Sequence, residues 1–342
     1  MNYPLLKVEN LVKHYSLGGG LLNRNIPVVR AVEGVSFSVE AGETLCIVGE
    51  SGCGKSTLAR LLMRLVDPTD GRVLLDGTDI AKLKKSELRS SRRRMQMIFQ
   101  DPYSSLNPRL TAGEIITEPV ENFESMNRKR REELAAELLQ KVGLAPEIMH
   151  RLPSELSGGQ RQRLGIARAL SLKPSIIIAD EAVSALDVSV QAQILNLLMD
   201  LQEKLGIAFV FISHDLGVVE HIGHRVAVMY LGRIVEIATS EALFAAPVHP
   251  YTQALIAAAP LPDPTRVQLE VLVKGEVPSP VNPPNGCTFH PRCPLAEERC
   301  RINVPPLVAM PDGRAVACHV RAPEVRIEDN QPDTPQLAGG FA

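Results

Sequence analysis

The stretch Thr44-Leu45-Cys46-Ile47-Val48-Gly49-Glu50-Ser51-Gly52-Cys53-Gly54-Lys55-Ser56-Thr57 constrains this chain more than any other. Thr44–Val48 reads as a short buried strand, and it runs directly into the pattern G-x-x-x-x-G-K-[ST]. Leu58–Leu65 reads as the helix that follows. Between a strand and a helix, such a loop turns its backbone N–H groups inward around phosphate, and the glycines leave room for that approach. In that reading Lys55 reaches the β- and γ-phosphates, and the Ser56 hydroxyl can ligate Mg²⁺. Cys53 occupies a free position of the loop and is read as incidental; Cys46 is read as core.

Three further apolar runs end on polar residues, as strands do when they deliver side chains to the ligand-binding edge of an open α/β sheet. Met95–Phe99 ends on Gln100, which could hold Mg²⁺ and an attacking water or be a simple loop amide. Ser175–Ala179 ends on Asp180-Glu181. Asp180 would complete the Mg²⁺ shell with Ser56 and Gln100, and Glu181 would polarise a water for in-line attack on a γ-phosphate. Two acids in a turn are the alternative. Ile207–Ile212 ends on Ser213-His214-Asp215, where His214 could bridge phosphate and water, or be structural as His221 and His224 are read to be.

Leu156-Ser157-Gly158-Gly159-Gln160 opens another predicted helix, with Leu164, Ile166, Ala167 and Leu170 at helical spacing. Ser157 is a good N-cap, and two glycines in the first turn leave N–H groups uncovered at the positive end of the helix dipole. An ordinary capped helix with a Gly-rich start has the same appearance.

The remaining elements follow from periodicity and turn residues. Leu5–Tyr15 and Val28–Val39 read as strands around a Gly18–Gly20 loop, and Arg72–Ile80 as a strand with an Asp-Gly turn. Residues 101–156 read as a mostly helical insert punctuated by Pro102, Pro108, Pro119, Pro146 and Pro153, with Arg128–Val142 its clearest helix. Val190–Leu205 reads as a helix, and Arg225–Tyr230 and Gly232–Ile237 as strands flanking a Leu231-Gly232-Arg233 turn. The 342 residues suffice for a large domain and a smaller one, and 45% apolar content supports a real core. A formal net charge of −2 gives no indication of a nucleic-acid partner. The basic runs Arg92–Arg94 and Arg128–Arg131 read as solvated surface or as a face near a membrane. No apolar run reaches the roughly 18 residues of a spanning helix, and Lys7, Glu9 and Lys13 interrupt any signal peptide. The chain is therefore expected to be soluble by itself and cytoplasmic.

Beyond Pro260 proline is frequent, and Pro278–Pro284 reads as extended and poorly helical. Cys287, Cys293, Cys300 and Cys318 crowd this region. Four thiolates can close a Cys₄ site for zinc or for iron–sulfur, and the lack of tight C-x-x-C pairs favours a cluster over a zinc ribbon. His290 and His319 are spare ligands, and four free cysteines in a loop-rich tail are the alternative. Low apolar content makes the region one expected to need metal to fold. From about residue 322 the sequence is polar and expected to be disordered.

With these motifs in order, the chain resembles the ATP-binding subunit of an ABC transporter over about residues 5–260. The resemblance implies an ABC-type P-loop NTPase, α/β, with a RecA-like core, an antiparallel β portion and a helical insert, followed by a Cys-rich module at 261–321 and a tail at 322–342. Gly49–Thr57 is similar to the Walker A motif, Gln100 to the Q-loop, Leu156–Gln160 to the signature and Ile176–Asp180 to Walker B. Glu181 then holds the catalytic-base position, Ser184–Asp187 with Asp187 the D-loop, and His214 the switch position. Tyr15 resembles the aromatic that stacks on adenine, a core tyrosine being the alternative. One departure is Ala182, where the family usually has proline; the change frees φ there and removes no functional group.

A narrower resemblance is to the peptide and nickel importer subfamily, in particular the dipeptide/oligopeptide F-type subunit. It rests on Asp101-Pro102-Tyr103-Ser104-Ser105-Leu106-Asn107-Pro108-Arg109, on His249-Pro250-Tyr251-Thr252-Gln253-Ala254-Leu255 and on the cysteine region. It implies ATP and Mg²⁺ as cofactors and a [4Fe–4S] cluster on the four cysteines. It also implies an ATPase powering import of di- or oligopeptides, or alternatively of nickel or another small solute, at the cytoplasmic face of the inner membrane. The implied partners are a second, distinct ATPase subunit closing head to tail over two ATP molecules, two permease subunits and, indirectly, an extracytoplasmic peptide-binding protein. The signature would then face the partner's nucleotide. A non-transport ABC ATPase of DNA repair or translation would carry a long coiled-coil insertion or a duplicated motif set, and neither is present. A binding module with vestigial turnover is disfavoured by the intact Lys55, Glu181 and His214.

Overall fold

The structure, a computed structural model, describes residues 3–18, 27–101, 103–258 and 275–322. The expected boundary near Pro260, most of the Gly18–Gly20 loop, Pro102 and the tail beyond Ala322 lie outside them. The first elements are β1 (Leu6–Ser16), β2 (Val28–Val39), β3 (Thr44–Val48), α1 (Lys55–Leu62), β4 (Asp70–Leu75), β5 (Thr78–Asp79), α2 (Lys85–Arg92) and β6 (Met95–Ile98). Next come α3 (Ala112–Glu121), α4 (Arg128–Lys141), α5 (Gly158–Leu170), β7 (Ile176–Asp180), α6 (Val188–Leu205), β8 (Ala208–Ile212), α7 (Leu216–Ile222), β9 (Arg225–Tyr230) and β10 (Arg233–Thr239). The last are α8 (Ser240–Ala245), α9 (Pro250–Ala257), α10 (Glu298–Ile302), β11 (Val308–Ala309) and β12 (Ala315–Val316).

Two sheets result. One is antiparallel, in the order β2-β1-β4-β5; the other runs β11-β12-β10-β9-β3-β8-β7-β6. Within the second, β9, β3, β8, β7 and β6 are parallel neighbours. Strands covered on both faces have no solvent side, which is why Thr44–Val48, Ile176–Asp180 and Ala208–Ile212 are buried at every position and carry no polar alternation. Successive side chains still point to opposite faces. Cys46, Val48, Ile177, Ala179, Phe209 and Phe211 join the core beneath the helical part. Leu45, Ile47, Ile176, Ile178, Val210 and Ile212 join α1 and the antiparallel sheet.

Caps set the helix starts. Asp187 accepts from the Val190 N–H at 3.0 Å, so α6 begins at Val188, two residues ahead of the periodicity-based start. α3 and α4 pack on α5 through Ile115, Ile116, Leu138, Leu139 and Leu164, giving the expected helical character to the segment between β6 and β7. Leu231 and Gly232, at φ 42° and 78°, close the β9–β10 hairpin in the positive-φ turn that suits the strand twist.

The basic runs separate. Arg92 donates to the Met63 and Arg64 carbonyls, Arg94 pairs with Asp76, and Arg93 lies over the Phe123 ring, so this run fastens local structure. Arg128 pairs instead with Glu132 on the outside of α4, and Arg131 with Glu121 at the end of α3.

The C-terminal region extends the main sheet, because β12 pairs antiparallel with β10. Its Phe289 is fully buried against Tyr230 and Tyr251. One large aromatic ring thus seats this region, poor in apolar residues as it is, on the main core.

Candidate active site at the sheet edge

Because β3, β6, β7 and β8 are parallel, their carboxyl ends share one edge, and each delivers a residue singled out in the sequence. β3 leads into the phosphate loop. Gly54 has φ 107°, and a Cβ there would lie 2.0 Å from the Ala31 carbonyl oxygen, so only glycine lets the loop pass beneath β2. Lys55 is buried; its Nζ donates to the carbonyls of Gly49 at 2.7 Å and Glu50 at 3.0 Å. Ser56 Oγ donates to Asp180 Oδ1 at 3.2 Å. Burial pushes the Asp180 carboxyl above its ordinary value, with the Ser56 hydroxyl acting against the shift.

Glu181 follows with φ 48°, a left-handed conformation that costs a residue with a side chain about 1–2 kcal/mol. Its N–H donates to the Ile212 carbonyl, and its own carbonyl accepts from the Ser184 N–H and hydroxyl. Ala182 and Val183 are buried beneath. The turn is thus closed by hydrogen bonds although Ala182 stands where proline is usual. Glu181 Oε2 accepts from Gln100 Nε2 at 2.7 Å, and Oε1 lies 3.5 Å from His214 Nδ1. Gln100 was expected beside Ser56 and Asp180; its hydrogen bond goes to Glu181.

A cavity of about 620 Å³ opens onto this edge, lined by Tyr15, Val29, Ala31, Ser51, Gly52, Gly54, Lys55, Ser56, Thr57, Gln100, Glu181, His214 and Pro280. Tyr15 is a half-buried wall residue, with Lys13 Nζ 5.0 Å from its ring centre. Cys53 is buried below the loop, and burial raises its thiol. Ser157, Gly158, Gly159, Gln160 and Asp187 do not line the cavity. Ser157 caps α5, accepting from the Gln160 N–H while the Gln160 side chain accepts from the Ser157 N–H at 3.0 Å. A Cβ on Gly159 would meet Val190 Cγ1 at 2.7 Å, so this glycine lets the starts of α5 and α6 touch. Sequence reasoning missed Val29, Ala31 and Pro280 in the wall, and Tyr251 and Arg292, which contact Glu50. Tyr251 had a signal, since His249-Pro250-Tyr251 was singled out, but only as a mark of kinship.

Cys287, Cys293, Cys300 and Cys318 are near enough to perturb one another; burial first, and then the other three sulfurs, push Cys287 up to about 11. Among the described residues, however, no group of three or more His, Cys, Asp or Glu side chains is arranged to hold a metal ion. The ready-made Cys₄ ligand set expected from the sequence is therefore not found.

Residues 32–184 match the family model for ABC transporter, and residues 235–300 match the one for oligopeptide/dipeptide transporter, C-terminal region. The chain is 77% identical, over 94% of its length and 92% of the relative's, to a probable peptide ABC transporter ATP-binding protein of Sinorhizobium fredii. The chain belongs to the ABC transporter family. Within it, this ABC protein is an ATP-hydrolysing subunit of the oligopeptide/dipeptide branch. It is also 50% identical to an oligopeptide transport ATP-binding protein of Bacillus subtilis, over 92% of this chain and 97% of that one. Among solved structures, a dimeric post-hydrolysis ATP-binding cassette bound to ADP and Pi matches with TM-score 0.62 and 32% identity, covering 69% of this chain and 98% of that one. A cassette from Clostridium perfringens, part of an ABC transporter complex, matches with TM-score 0.62 and 27% identity over 71% and 91% of the two chains. Among the described residues of this ABC subunit, no helix is long and apolar enough to cross a membrane.

Proposed function

We propose that this ABC subunit powers the import of di- or oligopeptides, working at the cytoplasmic face of the membrane beneath a pair of permease subunits. The observation that supports this most is the meeting of the Ser56–Asp180 pair and the Gln100–Glu181–His214 group around one phosphate-loop cavity. Together with the oligopeptide/dipeptide C-terminal region, it joins ATP chemistry to a peptide-importer branch.

In this reading the loop N–H groups and Lys55 hold the β- and γ-phosphates, and Tyr15 with Val29, Ala31 and Pro280 walls the adenosine. A hydroxyl beside a carboxylate is an oxygen donor set suited to a hard divalent cation, so Ser56 and Asp180 would hold Mg²⁺, whose chemistry there is to neutralise charge on the phosphates. Glu181 takes the proton of the attacking water. Its two carboxylate oxygens face Gln100 and His214, which orient the group, and each oxygen keeps lone-pair capacity for that proton. Gln100 thereby links hydrolysis to the segment after β6, which would meet the permease. Ser157–Gln160 and Asp187, away from the cavity, serve the nucleotide of a second ATPase subunit closed head to tail on this one. An extracytoplasmic peptide-binding protein would supply the substrate.

The finer assignment of a [4Fe–4S] cluster, or zinc, to Cys287, Cys293, Cys300 and Cys318 draws on the closeness of the four thiols. Iron and zinc content of the purified full chain, with its visible absorbance, tests that part separately. The transport reading is tested by uptake of labelled di- and oligopeptides in cells lacking the chain. Complementation by the wild type but not by Glu181→Gln is expected; unchanged uptake without the chain would overturn it.

A further inference from the structure

Glu50, the second residue of the phosphate loop, is held on all its polar groups. Its N–H donates to the Tyr251 hydroxyl at 2.9 Å, its carbonyl accepts from Lys55 Nζ, and its carboxylate meets Arg292. Arg292 stands between Cys287 and Cys293, in a single helical turn at His290–Arg292, 242 positions along the chain from Glu50. Its Nη1 donates to both carboxylate oxygens at 3.2 and 3.0 Å, and its Nη2 to Oε1 at 3.2 Å. The two side chains are 11% and 29% exposed, so the pair is shielded from water more than a surface ion pair is. The guanidinium also reaches the Tyr230 hydroxyl and sits beside the Phe289 ring that anchors the C-terminal region. Its Nε is buried with no hydrogen-bond partner among the described residues, so Nη1 and Nη2 carry its pairing.

The Glu50 side chain does not line the cavity, but its carboxylate belongs to the loop that would receive a polyanion, where an unneutralised like charge is unfavourable in a partly dry site. Lys55 is committed to the loop carbonyls and to phosphate. The neutralising cation comes from outside the cassette core.

We propose that Arg292 is a positioning residue of the ATP site: by holding and neutralising Glu50 it sets the phosphate loop in its anion-binding form, so that the Cys-rich region is a working part of the nucleotide cradle. The inference rests on reading the cavity as the ATP site. It gives the C-terminal region a direct route to ATP affinity, because any rearrangement around Cys287 and Cys293 moves Arg292 with it.

The test is MgATP binding to the purified full chain by calorimetry, with KM and kcat measured in the assembled transporter. Arg292→Ala raises Kd and KM about fivefold, the range of a partly screened ion pair, and changes kcat less. Arg292→Lys, which keeps the charge without the fork, falls between. Adding Glu50→Gln to Arg292→Ala recovers most of the lost affinity, because the unpaired charge is gone; a merely structural role for Arg292 predicts no recovery. If Arg292→Ala does not fold, the same comparison is made with Arg292→Gln. Unchanged affinity on losing Arg292, or a loss that Glu50→Gln leaves in place, overturns the proposal. Lys55→Ala is the control: wild-type affinity there would overturn the ATP reading of the loop and the inference together, whereas a loss at Lys55 with none at Arg292 overturns the inference alone.

Discussion

The Gln100 amide donates to the Glu181 carboxylate, Nε2 to Oε2 at 2.7 Å, joining the end of β6 to the end of β7. This bond ties the proposed base to the segment that leaves the core for the helical part. Glu181→Gln keeps a side chain of the same size but cannot take a proton. MgATP binding is expected to survive, while ATPase activity of the assembled transporter falls by about 10²–10⁴-fold, the range for loss of a general base. Turnover near the wild-type rate would reassign the base.

Asp180 is buried and its carboxyl lies above the ordinary 3.8, chiefly through desolvation. An acid whose folded pKa is raised is stabilised in its protonated form, so at neutral pH the ionised carboxylate works against folding, and that cost fades as pH falls towards 3.8. Asp180→Asn, which still offers Ser56 an acceptor, is expected to raise the Tm of the nucleotide-free chain at pH 7, with a smaller gain at pH 5, and to abolish Mg²⁺-dependent hydrolysis. A lower Tm at pH 7 would contradict this account.

His249 is buried and held down to about 3 from 6.5, because burial disfavours the imidazolium. Its Nδ1 accepts from the Tyr251 N–H at 3.0 Å, and the backbone N–H of His249 donates to the buried Glu236. Above pH 6.5 both folded and unfolded forms are neutral and the residue adds no pH dependence. Between 6.5 and about 3 only the unfolded form takes up the proton, so stability drains away as pH falls through that window. Urea denaturation between pH 7 and 4 should show a shallower loss for His249→Asn, which can cap α9 without titrating; an equal slope would remove His249 from the explanation.

Ser157 caps α5, and its loss costs about 1 kcal/mol of helix stability. Ser157→Arg should leave MgATP affinity of the isolated chain near wild type, since this residue is not in the cavity wall, yet stop ATP turnover in the assembled transporter. A fall in isolated-chain affinity as large as that of Lys55→Ala would place the signature at this chain's own nucleotide.

Gly159 faces Val190 across the α5–α6 contact. Alanine is the better helix former, but its Cβ has no room there, and overpacking of this kind costs about 1–3 kcal/mol. Gly159→Ala is therefore expected to lower the denaturation midpoint, and Gly159→Ala with Val190→Ala to restore it. A stabilising single substitution would show that the contact yields.

Much of the site was legible because its parts are local. The glycines at 49, 52 and 54 must lie within one short loop to turn N–H groups inward, a strand that ends in Asp180-Glu181 is a run of neighbours, and the Ser157 cap acts three residues away. The meeting of Ser56 with Asp180 was legible as a shared Mg²⁺ pair, but other pairings were not. Gln100 with Glu181 and Arg292 with Glu50 depend on the strand order β9-β3-β8-β7-β6 and on β12 joining β10. Likewise the spacing of Cys287, Cys293, Cys300 and Cys318 suggested a ligand set, but how such thiols are arranged is decided by the packing of the segments that carry them. Sequence alone determined which chemistry each strand end carries, since local hydrogen bonding and apolar periodicity dictate it. Only the tertiary structure decided which ends touch, because contacts across tens or hundreds of residues are chosen by how the buried faces pack, and no local pattern encodes that choice.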